Sequence, residues 1–66
     1  MRQALMAGKF EIFTDAAGKF RWRLKAGNGE VIAASQAYES RDGAKKGIAS
    51  VQNSAPGATI VDLTAD

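Results

Sequence analysis

The 66-residue sequence predicts an α+β fold of the order β-β-β-α-β, and three observations carry that prediction. Through residues 9–34 apolar and polar residues alternate, the period of half-buried strands, with turn signals at residues 16–18 and at Asn28-Gly29. From residue 40 to residue 55 the apolar positions recur every three or four residues, as a helix with one buried face requires. Beyond Pro56-Gly57 the run TIVDL, residues 59–63, is β-branched and apolar again.

The first strand is KFEIF, residues 9–13, with Phe10 and Ile12 on one face and Lys9, Glu11 and Phe13 on the other. A three-residue loop of Ala16, Ala17 and Gly18, glycine taking the left-handed position, pairs Asp15 with Lys19. Counting outward sets Ile12 opposite Trp22, Phe10 opposite Leu24, Glu11 opposite Arg23 and Phe13 opposite Arg21. This register puts both apolar sets on one face, and a one-residue slip would split them. Asn28-Gly29 predicts a type I′ turn closing on a Gly27–Glu30 pair. Val31 and Ala33 then join the Trp22 face, and Ile32 and Ala34 join Arg23 and Lys25.

The helix takes Ser40 as N-cap and Asp42 in its first turn, where a negative charge complements the helix dipole; Pro56-Gly57 ends it. Its apolar stripe is Ala44, Gly47, Ile48, Val51 and Ala55. Gly43 and Gly47 each cost about 1 kcal/mol against alanine, so Gly47 reads as a close approach of helix to sheet, over Trp22. Trp22 belongs to the core with Phe10, Ile12, Leu24 and Val31, and Tyr38 seals the core edge with its hydroxyl exposed.

Size and composition narrow the function. A single domain this short buries a modest share of its surface and needs help from metals, disulfides or partners. There is no cysteine and no histidine, so neither a disulfide nor an ordinary zinc site is available, and association with another chain is the remaining aid. The apolar run in MRQALMAGKF is too short for the hydrophobic segment of a secretory signal and no stretch is long and apolar enough for a membrane-spanning helix, so the expected location is the cytoplasm. Met6 can serve as the start; residues 1–8 read as a flexible extension, residues 9–64 as the one domain, and residues 65–66 as a tail. A net charge of +2, spread along the chain, is far from that of a dedicated nucleic-acid binder.

The words GKFEIF, FRWRLKAGNGEVIAAS, YES and IVDLT, in this order, resemble the YegP-like family, small bacterial domains of unknown function that occur singly or as tandem repeats. The resemblance runs from Lys9 to Thr64. It implies a unit that pairs with a second copy into one continuous sheet by exchanging C-terminal strands. Because WRLKAxNGE occurs once, it implies a homodimer exchanging Thr59, Ile60, Val61, Asp62 and Leu63, hinged at residues 55–58. Docking of that strand on its own sheet is the competing expectation.

Catalysis needs a base or nucleophile with a tuned pKa, and the candidates Glu11, Asp15, Glu30, Tyr38, Glu39, Asp42 and Asp62 form no recognisable group; even Glu11 with Asp62, which could approach across strands, reads as ordinary surface carboxylates. The expected function is non-enzymatic, without cofactor. AGNG is a hairpin turn that opens no helix, so it lacks the amides that hold a phosphate. The chemistry left is the row Arg21, Arg23 and Lys25, about 7 Å apart along one strand, with Lys9 beside Lys25 and with Phe13 and Ile32 as apolar neighbours. This face is a candidate nucleic-acid surface or, through Phe13 and Ile32, a protein-interaction or stress-related accessory surface. The plainer expectation is a solvated outer face, with Glu11 paired to Arg23 and Phe13 covered by Arg21.

Overall fold

The computed structural model describes residues 7–64. The proposed start at Met6, most of the N-terminal extension and the tail at 65–66 lie outside the described residues. Three antiparallel strands, β1 (Lys9–Thr14), β2 (Phe20–Lys25) and β3 (Val31–Ala34), form a sheet in the order β1-β2-β3, followed by helix α1 (Arg41–Ser54).

The β1–β2 register is the one the alternation predicts: Lys9 lies opposite Lys25, Phe10 opposite Leu24, Glu11 opposite Arg23, Ile12 opposite Trp22 and Phe13 opposite Arg21. The loop between them closes as expected. Asp15 N donates to Lys19 O at 2.9 Å, Gly18 N to Asp15 O at 2.9 Å, and Gly18 holds φ +80°.

The second hairpin differs from its prediction. Ala26 N donates to Glu30 O and Gly29 N to Ala26 O, so the closing pair is Ala26–Glu30 and the loop has three residues, like the first. Only Gly29, at φ +91°, is left-handed; Asn28 keeps a negative φ, which a type I′ turn would not allow. The Asn28 side chain accepts from Glu30 N at 3.0 Å and holds this form of the turn. The longer loop shifts the pairing by one, setting Val31 opposite Lys25, and a bulge then restores the expected pairs Leu24–Ala33 and Arg23–Ala34. Val31 therefore leaves the core for the Lys25 side of the sheet and is 51% exposed.

Between β3 and α1 the chain returns to the sheet. Phe20 and Tyr38 exchange backbone hydrogen bonds, and Ser35 Oγ accepts from Trp22 N at 2.9 Å. Ser40 caps α1, its Oγ accepting from Gly43 N at 3.0 Å, with Asp42 in the first turn. Ala44 is fully buried on the sheet side, and Gly47, Ile48 and Val51 are half-buried beside it, whereas Ala55 is exposed and outside the stripe.

The centre of the packing is Trp22, 6% exposed, which meets the edge of Phe10 at a centroid distance of 5.3 Å. Gly47 lets the helix come close: an added Cβ would lie 3.2 Å from Trp22 Nε1 and closer still to Tyr38 Oη. Tyr38 thus turns its hydroxyl toward the helix.

The fifth element is absent from the single chain. A 3-10 turn, Ala55–Gly57, extends the helix, and residues 58–64 follow without strand pairing among the described residues. Gly57 has a negative φ, so the helix end lacks the left-handed residue that would turn the chain sharply back to the sheet. Docking of residues 59–63 on their own sheet is therefore not adopted, and Ile60, Val61 and Leu63 are 94%, 71% and 89% exposed. The fold within one chain is β-β-β-α.

Candidate functional site

The two faces of the sheet have opposite characters because β1 and β2 alternate in register. One face carries Phe10, Trp22 and Leu24 under α1; the other carries Lys9, Glu11, Phe13, Arg21, Arg23 and Lys25. Of the residues expected at a binding surface, the first five cations and aromatics, Lys9, Phe13, Arg21, Arg23 and Lys25, are brought together on β1 and β2. Ile32 stands on the neighbouring edge strand β3, 60% exposed.

Two carboxylates organise the cations. Arg21 Nε donates to Asp15 Oδ2 at 2.7 Å and Arg23 Nε to Glu11 Oε1 at 2.8 Å. Glu11 also lies 3.4 Å from Lys25 Nζ and 3.9 Å from Lys9 Nζ. The predicted Glu11–Arg23 pair is present, but the predicted cover of Phe13 is different. Asp15 draws the Arg21 guanidinium toward the turn, and Arg23 lies over the Phe13 ring instead, 4.6 Å from its centroid. Phe13 is half-buried beneath it rather than an open apolar contact.

Asp15 is itself held by the turn it begins. Its Oδ1 accepts from Ala17 N at 2.9 Å and Lys19 N at 3.0 Å, leaving Oδ2 for Arg21. The sequence reading missed this brace. The signal was available, since an aspartate opening a turn commonly hydrogen-bonds the backbone two residues on. Both carboxyls are held below their ordinary values: Glu11 foremost by the hydrogen bond from Arg23, then by Lys25, and Asp15 foremost by Arg21, then by the Lys19 amide. Asp62 is lowered by its hydrogen bonds from Thr64, and it shares no hydrogen-bond partner with Glu11.

Four cations against two carboxylates leave this face positive. The described residues enclose no cavity, include no group of three or more potential metal ligands, and contain no helix long and apolar enough to cross a membrane. A charged, internally braced sheet face without a cavity can bind an extended anion or another surface.

Residues 15–62 match the family described as "Domain of unknown function (DUF1508)", a span that includes Asp15, Arg21, Arg23, Trp22 and the helix. The chain belongs to this family. A UPF0339 protein of Treponema denticola is 60% identical over 58 residues, which cover 88% of this chain and all of that protein. The UPF0339 protein YegP of Escherichia coli is 51% identical over 51 residues, covering 77% of this chain but 46% of YegP, so the YegP-like resemblance holds and this chain spans about half of that relative. The solution structure of a protein from Haloferax volcanii has a TM-score of 0.78 and 43% identity, covering 86% of this chain and 97% of that one.

Proposed function

We propose that this DUF1508 domain is a non-enzymatic binding domain of the cytoplasm that works as a strand-exchanged homodimer, with the outer sheet face as its recognition surface. The observation that carries the assembly is the mismatch between two open features of one chain. Among the described residues only Trp22 and Ala44 are buried, β3 is exposed along its whole length, and a β-branched segment with three exposed aliphatic side chains pairs with nothing. Placed in a strand, Thr59, Val61 and Leu63 share one face and Ile60 and Asp62 the other, the pattern of an edge strand covering a core. A second copy supplies the sheet edge that the segment lacks and receives the same element in return, so the interface is self-complementary.

The dimer reading is tested by sedimentation of the full chain together with an isotope-filtered NMR experiment on mixed labelled and unlabelled copies. A mass of two chains is expected, with intermolecular contacts from residues 59–63. The Val61→Asp variant should lose the dimer and its cooperative melting together, because folding and association are then one event. A folded monomer, or a dimer whose intermolecular contacts leave out residues 59–63, overturns this reading. Protein docking through Phe13 and Ile32 has less support, since Arg23 covers Phe13 and the two residues lie on the opposite edge strands β1 and β3.

A further inference from the structure

The outer face carries more than positive charge. Resting on the proposal that this face is the recognition surface, we infer that Arg21 and Arg23 form a pre-set two-pronged clamp for the phosphodiester backbone of single-stranded nucleic acid. Each guanidinium is held by its Nε edge, Arg21 on Asp15 and Arg23 on Glu11, and the terminal Nη groups donate to no acceptor among the described residues. The side chains are still 41% and 40% exposed, so those Nη edges are open to solvent. Arg23 is fixed a second time by the Phe13 ring beneath it, and the Asp15 that holds Arg21 is fixed by two turn amides.

Such bracing matters because an arginine loses considerable rotamer freedom when it grips a ligand, and here much of that loss is taken before binding. A planar fork with both Nη groups free matches two oxygens of a phosphate, in the bidentate geometry that lysine cannot offer. The two arginines stand at positions i and i+2 of one strand, their backbone positions about 7 Å apart on the same face, so the row runs along the strand as the phosphates of an extended chain do. Lys25 continues the row, with Lys9 opposite it. An open face without a cavity favours a polymer laid across it over an enclosed small molecule. The aliphatic Val31 and Ala34, opposite Lys25 and Arg23 and both exposed, give unstacked bases an apolar floor beside the row, which a duplex would not use. The contacts are to backbone, so neither base sequence nor sugar decides the affinity.

The experiment is fluorescence anisotropy of the full chain with labelled oligo(dT) and oligo(U) of about 20 nucleotides, at about 50 and 200 mM salt, with parallel sedimentation. Micromolar binding at low salt is expected, weakening about 7- to 50-fold at the higher salt for two to four neutralised phosphates. The variant R21K/R23K keeps the charge and removes both forks; with an unchanged NMR fingerprint it should bind about tenfold more weakly or worse. The inference is overturned if that variant binds like the parent, if neither oligonucleotide binds, if one is preferred by more than about tenfold, or if polyglutamate competes as well as oligo(dT). A dimer that ignores both oligonucleotides sinks the clamp and leaves the assembly standing; a monomer that binds them does the reverse.

Discussion

At the scale of single residues, Gly47 decides how closely helix and sheet approach. A methyl group there would run into the Tyr38 hydroxyl and crowd Trp22 Nε1, so the usual gain of about 1 kcal/mol for replacing a helical glycine by alanine should not be realised. Overpacking of this kind costs about 1–3 kcal/mol, and it outweighs the propensity gain while Tyr38 keeps its hydroxyl. Gly47→Ala is therefore expected to destabilise the protein by about 1 kcal/mol in urea unfolding, and Tyr38→Phe in the same chain should recover part of the loss as a coupling between the two sites. Additive effects of the two substitutions would refute the contact. The sequence signalled this site through the energetic oddity of a glycine within an apolar helical stripe. It did not signal that the Tyr38 hydroxyl would lie against Gly47 of the helix, because a tyrosine before a helix satisfies its hydroxyl equally well in water.

At the scale of elements, the two hairpins turn out to be the same device used twice: a three-residue loop with one left-handed glycine, Gly18 at φ +80° and Gly29 at φ +91°. Neither has atoms near where a Cβ would sit, so substitution tests backbone conformation alone. Gly18→Ala and Gly29→Ala should each cost about 1–2 kcal/mol by thermal or urea melts, the penalty of a left-handed alanine; a neutral result at either position would mean that the turn is not in this form. The first loop was readable because only one register aligned both apolar sets. The second was not, because Asn-Gly serves two turn types and β3 is too short, and too alanine-rich, for its alternation to arbitrate. The bulge at Val31 and Ile32 hides the error, restoring the predicted pairs at Ala33 and Ala34 while moving Val31 off the core. On the outer face, alternation placed the cations and set Arg23 opposite its partner Glu11, whereas the Arg21–Asp15 pair depended on side-chain reach across the turn, which periodicity does not encode.

At the scale of the whole molecule, the outer-face lattice links stability to pH. Glu11 and Asp15 hold their carboxyls below the ordinary values of 4.5 and 3.8, the first mainly through Arg23 and the second mainly through Arg21. In the unfolded chain those partners are gone and the carboxyls take up protons at the ordinary values. Between the two, the folded form keeps a carboxylate where the unfolded form binds a proton, so stability rises with pH in that window. The contribution is complete above the ordinary carboxylate range and is lost as pH falls through the lowered folded values. Melting temperature should thus be level from neutrality to about pH 5 and decline below it. The acid limb should flatten in a Glu11→Gln, Asp15→Asn double variant, whose amides do not titrate; an equally steep limb in parent and variant would place the acid sensitivity elsewhere. Asp62, lowered by Thr64, remains ionisable in that variant and bounds how flat the limb becomes. The same two carboxylates brace the arginines, so the groups that stabilise the fold above their pKa also set the clamp.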